Sequence, residues 1–279
     1  MGVGEILDAA LRLARQNLGT YFKLVVLFMA LPLGITAIYA ASHIVFVANG
    51  LLFVDDPDSY NVWITVLMFA SLFVQLLCFG VLVHLSTRLY MNKNETAGSI
   101  LRASRGRFWS FVGMSVILGL YAWGISIVIA IVGQAAALLA LLVAVVVFIW
   151  WGTTYSLTVP AFWHEEARAM ESIWRSRAMV KGRFWQVFGS LFVGFIIVAV
   201  VQLGIGAITG LFTADITTPV PYVITDTALD FIGTTVSLIA LAPIVTVVYF
   251  DGKVRIEGFD LTLKLDQAAD EEPPPPVPW

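Results

Sequence analysis

The stretch Ala135-Ala136-Ala137-Leu138-Leu139-Ala140-Leu141-Leu142-Val143-Ala144-Val145-Val146-Val147-Phe148-Ile149-Trp150-Trp151 carries no charged side chain. Crossing ~30 Å of hydrocarbon takes ~20 helical residues. Inside lipid every backbone amide must be paired within the structure itself, which leaves the α-helix for a continuous run such as this. The run extends to Pro160. Upstream, Phe108–Val132 has the same character, and only Gly133-Gln134 separates the two. No Asp, Glu, Lys or Arg occurs between Phe108 and Pro160, so the pair reads as a transmembrane hairpin with a bare turn.

Four more runs qualify outward from this hairpin: Tyr21–Val47, Val62–Leu85, Val187–Phe212 and Thr227–Phe250. Hydrophobic residues make up 59% of the 279 positions and charged residues 13%. A soluble domain carries about 25% charge, and here the shortfall is gathered in the six runs. A transmembrane barrel would need short alternating strands instead. The expected fold is therefore an all-α polytopic membrane protein with six spans. Residues 1–265 form one transmembrane domain. Residues 266–279 are an acidic, proline-rich tail ending Pro273-Pro274-Pro275-Pro276-Val277-Pro278-Trp279, expected to be extended and either solvated or a docking peptide. One cysteine, Cys78, leaves no internal disulfide to form.

The connections alternate in charge. Asn49–Asn61 contains Asp55, Asp56 and Asp58, and Thr213–Asp226 contains Asp215 and Asp226; neither has a cation. All sixteen Lys and Arg residues fall in the other set, from Arg12 and Arg15 at the start to Lys253, Arg255 and Lys264 at the end. The positive-inside rule makes that face cytoplasmic. Both termini are thus expected in the cytoplasm. Trp63, Trp109, Trp163 and Trp185 sit at span ends, as interfacial aromatics do.

The cytoplasmic segments are amphipathic. In Val3–Leu18, the residues Val3, Ile6, Leu7, Ala10, Leu13, Ala14 and Leu18 share a helical face, with Glu5, Asp8, Arg12, Arg15 and Gln16 opposite. This pattern suits a helix lying in the membrane interface. Trp163–Ala178 and Thr96–Arg105 are weaker versions. Two junctions match: Gly106-Arg107-Phe108-Trp109 recurs as Gly182-Arg183-Phe184-Trp185, with Gly19-Thr20-Tyr21-Phe22 a looser copy. Glycine can end a surface helix in the left-handed conformation. The chain reads as three units, each a surface helix followed by a transmembrane hairpin.

Polar groups inside the spans are functional candidates by default. Gln75 and Gln202 are near the middle of spans two and five; they bond to each other across a helix interface, or they line a path. Asp230 reads as an N-terminal cap of span six, favoured by the helix dipole. Gly206 and Gly210, like Ala136, Ala140 and Ala144, recur every four residues and let helices approach closely. Pro32 and Pro243 are candidate kinks. His164-Glu165-Glu166-Ala167-Arg168 begins like a zinc-protease helix, but Arg168 stands where the second histidine is needed. No metal, cofactor or catalytic constellation is expected. The cytoplasmic cations are expected to attract anionic lipid headgroups.

After span six comes Tyr249-Phe250-Asp251-Gly252-Lys253-Val254-Arg255-Ile256-Glu257-Gly258-Phe259-Asp260-Leu261, and the sequence opens with Gly4-Glu5-Ile6-Leu7-Asp8. Together these resemble the bacterial family named for the membrane domain of glycerophosphoryl diester phosphodiesterase, with Lys253 where that ending has arginine. In the enzymes so named, the resemblance implies, hydrolysis belongs to a separate soluble barrel. No segment here could form one, so the resemblance implies a standalone six-span membrane protein, in the inner membrane of a bacterial cell. Asp251, Arg255 and Glu257 are expected to form a charge network, with Arg255 and Glu257 pairing with charges of the surface helices and holding the C-terminal segment against the bundle. The expected role is non-enzymatic, a membrane scaffold or partner-binding module with an unidentified protein partner and no nucleic acid; the alternative is a transporter or lipid-handling facilitator.

Overall fold

A computed structural model describes residues 2–48, 51–54, 56–93, 95–165, 168–213, 216 and 218–258. Six of its helices are long and apolar enough to cross a membrane. Apart from one short β-hairpin, the described chain is helical. The surface helix α1 (Val3–Gln16) leads into the first span, α2 (Leu18–His43). Strands β1 (Ile44–Ala48) and β2 (Leu51–Val54) connect it to α3 (Pro57–Tyr90). A second surface helix, α4 (Ala97–Arg105), precedes the hairpin of α5 (Phe108–Ala135) and α6 (Ala137–Tyr155), and α6 continues into the short α7 (Thr158–His164). The third surface helix, α8 (Ala169–Val180), precedes the last two spans, α9 (Phe184–Thr213) and α10 (Pro219–Glu257). A short helix followed by two long ones thus occurs three times, with α7 the addition that departs from the pattern.

Several boundaries move from their expected places, each for a local reason. Span one stops at His43, because Ile44–Ala48 pairs as a strand with Leu51–Val54: Phe46 lies opposite Phe53, Val47 opposite Leu52 and Ala48 opposite Leu51. β-Branched and aromatic residues favour that arrangement. Span two begins early, at Pro57, because Asp56 accepts a hydrogen bond from the Ser59 amide at 3.3 Å and proline suits the first helical turn. The turn between α5 and α6 is Ala136 rather than Gly133-Gln134. The third surface helix starts at Ala169, so Trp163 belongs to α7 instead.

The left-handed glycine holds at one junction only. Gly182 has φ +83°, whereas Gly106 is right-handed and Gly19 lies inside α2. The aromatic pairs match more closely: Phe108 and Trp109 meet edge-on at 5.5 Å, and Phe184 and Trp185 do so at 5.6 Å. Trp109 and Trp185 are 79% and 78% exposed. Trp163 is 7% exposed, so it is a core residue and not an anchor.

Packing centres on α10, which contacts α1, α2, α3 and α9. One apolar cluster joins Tyr21 and Leu24 of α2, Leu82 and Leu85 of α3, Phe111 and Met114 of α5, and Phe162 of α7. A second joins Ile6 and Ala10 of α1 to Met179, Tyr249 and Phe250. In lipid such contacts are driven by close packing and buried hydrogen bonds. Tyr21 supplies one of these, 2.6 Å from the Ser86 hydroxyl. Close approach is visible at Gly80, where an added Cβ would collide with the Phe111 ring. Ala140 likewise packs 3.4 Å from the Cβ position of Gly133. Gly206 and Gly210 do not serve this purpose within the chain: nothing comes within 4 Å of either Cβ position.

Candidate functional site

The last turns of α10 carry a cluster of ionisable side chains, Tyr249, Asp251, Lys253 and Arg255. At 3.6 residues per turn, residues four apart share a face. Tyr249 and Lys253 therefore project together, as do Asp251 and Arg255. The first pair meets Glu165, just beyond α7. Its carboxylate accepts a hydrogen bond from the Tyr249 hydroxyl at 2.7 Å and lies 3.5 Å from Lys253 Nζ. Arg175 of α8 closes the group with Nε at 3.0 Å. One carboxylate thus ties α7, α8 and α10 together.

The second pair faces α9. Asp251, 4% exposed, takes Nη2 of Arg183 at 2.8 Å and Nε of Arg255 at 3.2 Å. Gln186 donates to the same carboxylate at 3.4 Å and accepts from Arg183. Gly252 makes this possible, since a Cβ there would come within 2.9 Å of Arg183 Nη1. The junction arginines are thus used alike but on different partners: Arg183 reaches Asp251, while Arg107 donates to the Phe162 carbonyl at 2.9 Å and lies over its ring at 4.3 Å. Arg88 of α3 pairs with Glu95 at 3.2 Å, ahead of α4.

Imidazoles fill the same end. His84 stacks on Trp163 with centroids 4.4 Å apart and meets the Ser104 hydroxyl at 2.9 Å. His164 packs edge-on against Tyr249 and Phe250 at 5.7 and 5.0 Å. His43, at the other end, stacks on Tyr39. Among the described residues no three His, Cys, Asp or Glu side chains converge to hold a metal.

Of the expected charge network, the side chains of Asp251 and Arg255 are among those described. Arg255 bonds Asp251 within its own helix, and the bridges to neighbouring elements run through Arg183 and Glu165. Glu257 ends α10, and its side chain, like residues 259–279 with the proline-rich tail, lies outside the described residues. Glu165 and Arg183 carry most of the cross-links, yet on sequence they look like ordinary flanking charges. The one available signal was the four-residue spacing of Tyr249 with Lys253.

The intramembrane candidates separate. Gln202 donates to Ser237 of α10 at 3.0 Å rather than to Gln75, because α10 packs against both α3 and α9. Gln75 lines an open groove of about 310 Å³ with Thr36, Ser71, Asp230 and Thr234. Asp230 does not cap its helix: α10 begins at Pro219, so Asp230 sits about three turns in. It lies about 30 Å along the helix axis from Phe250, which is one hydrocarbon thickness.

Burial raises the Glu165 carboxyl, but hydrogen bonds from Tyr249 and Arg175, with the charges of Arg175 and Lys253, outweigh it and hold the group below its ordinary 4.5. The unfolded chain then takes up this proton at higher pH than the folded one. The stability contributed is complete above pH 4.5 and is lost as pH falls below that value, through the depressed folded one. Thermal unfolding in detergent between neutral pH and about pH 3 should show this acid limb, and Glu165→Gln should flatten it. An unchanged limb in the variant would refute the assignment.

No family model, curated protein or solved structure matches the chain.

Proposed function

We propose that this chain is a non-enzymatic scaffold or partner-binding protein of the bacterial cell membrane, with both termini in the cytoplasm. We also read it as a relative of the glycerophosphoryl diester phosphodiesterase membrane domains, a reading that rests on the motifs Gly4–Asp8 and Tyr249–Leu261. The observation that carries the functional proposal is the use made of the ionisable groups. Glu165 and Asp251 are each bound to an arginine from another part of the fold, and Glu95 is bound to Arg88 across the turn between α3 and α4. Groups fixed in this way brace a platform; they are not poised to exchange protons with a substrate. The platform in turn presents exposed cations, among them Arg12, Arg102 and Arg105, to partners at the membrane surface.

A second reading, passage of a small polar solute, is favoured by the groove that brings Gln75 and Asp230 together. Two measurements separate the readings. Recovery of a protein partner from mild detergent that falls with Arg102→Glu/Arg105→Glu and is unaffected by Asp230→Asn supports the scaffold. Solute uptake by reconstituted vesicles that is abolished by Asp230→Asn overturns it.

A further inference from the structure

We propose that a groove between α6, α8 and α9 binds the phosphate-bearing headgroup of an anionic membrane phospholipid, with an acyl chain lying along its aromatic wall. The inference rests on the membrane orientation above but not on the identity of any protein partner. The groove encloses about 870 Å³ and is lined by Trp150 and Thr154 of α6, by one face of α8 and by Phe184 and Trp185 at the start of α9.

Helix α8 divides its residues between two faces. Ser172, Ser176 and Met179 are buried, and the Ser176 hydroxyl donates to the Thr154 carbonyl at 2.8 Å, which fixes α8 against α6. Trp174, Arg177, Ala178 and Lys181 follow the three- and four-residue spacing of a single stripe and turn to the groove. Arg175 leaves for Glu165, and Arg183, two residues beyond Lys181, leaves for Asp251. Arg177 and Lys181 remain exposed with no carboxylate partner among the described residues, and none of the residues lining the groove is acidic.

Three further features favour a lipid phosphate. Arg177 lies 5.7 Å from the Trp174 ring, so its guanidinium is held at the groove. The left-handed Gly182 turns the chain so that Lys181 and the first residues of α9 share one rim. Those first residues form the positive end of a thirty-residue helix, which attracts an anion. Trp150, Trp174 and Trp185 are all partly exposed there, as aromatic side chains at headgroup level are. A soluble phosphate would satisfy the cations alone, whereas the aromatic wall of Trp150, Trp174, Phe184 and Trp185 suits a molecule with an acyl chain.

The test uses the full chain in mild detergent, titrated with phosphatidylglycerol, phosphatidylcholine or inorganic phosphate, with bound lipid counted by native mass spectrometry and thermal stability followed in parallel. Phosphatidylglycerol should bind more tightly than phosphatidylcholine. Each cation near the surface is worth roughly fivefold, so Arg177→Gln/Lys181→Gln should weaken that binding about 25-fold. Arg102→Gln/Arg105→Gln, which removes two exposed cations elsewhere, should leave it in place. Arg177→Lys/Lys181→Arg, which keeps both charges, should retain it and guards against a folding artefact. Equal weakening by the α4 pair would reduce the effect to diffuse surface charge and overturn the site. Stabilisation by inorganic phosphate equal to that by phosphatidylglycerol would overturn the lipid as its ligand. Either failure leaves the scaffold reading to its own partner-capture result.

Discussion

Asp251→Ala should cost about 3–5 kcal/mol of stability, among the largest losses of any single charge in the chain. The reason is what the substitution leaves behind. Arg183 has 15% of its side chain exposed and points its Nη2 at a carboxylate that is 4% exposed. Without Asp251 the guanidinium stays between α9 and α10 with its counter-charge gone, and desolvation of an unpaired ion dominates. Arg255→Ala removes another partner of the same carboxylate but should cost about 1 kcal/mol or less, because that side chain is 45% exposed. The double substitution Asp251→Leu/Arg183→Met should recover most of the loss by replacing the ion pair with packed apolar groups. Thermal unfolding of the four proteins in one detergent reads all of this. Equal effects of the Asp251 and Arg255 variants would show that the cross-link to α9 is not what matters.

Trp163→Ala should cost about 3–5 kcal/mol, while Trp109→Ala and Trp185→Ala should each cost well under 1. The three tryptophans occupy similar places in the sequence, each beside a span end. Trp163 is nevertheless enclosed by Phe111, Phe162 and the His84 ring, with centroids at 5.5, 5.0 and 4.4 Å. Truncation there opens a cavity that three elements would have to close. Trp163→Phe should restore much of the loss, since the site supplies stacking faces. The same unfolding assay, with expression level as a second readout, decides it; similar losses at all three positions would contradict the buried placement.

The six spans were legible because lipid imposes a length and a composition that no connecting segment here shares. Their ends were less so. Asp56-Pro57 and Pro219 start helices well outside the apolar runs, where capping rather than hydropathy sets the boundary. The β-hairpin was hidden because Ile44-Val45-Phe46-Val47 reads equally as a last helical turn. Trp163 was misplaced for a related reason: α6 breaks at Ser156-Leu157 and α7 redirects the chain inward, so position beside a span no longer means position at the surface. The charge network was half legible. Asp251 and Arg255 advertise each other by spacing, but Glu165 is 84 positions from Tyr249 and Arg183 is 68 from Asp251, and only packing of α7, α8 and α9 on α10 brings them in. Gln75 and Gln202 failed as a pair because the helix between them, α10, offers Ser237 first.

All of these placements depend on the basic residues sharing one side of the membrane. Single cysteines placed at Arg105, Arg177 and Asp58, all exposed, on a Cys78→Ala background would test it in intact cells with a membrane-impermeant thiol reagent. The account predicts labelling at position 58 from outside, and at 105 and 177 only after the membrane is opened. Labelling of 105 and 177 from opposite sides would contradict it.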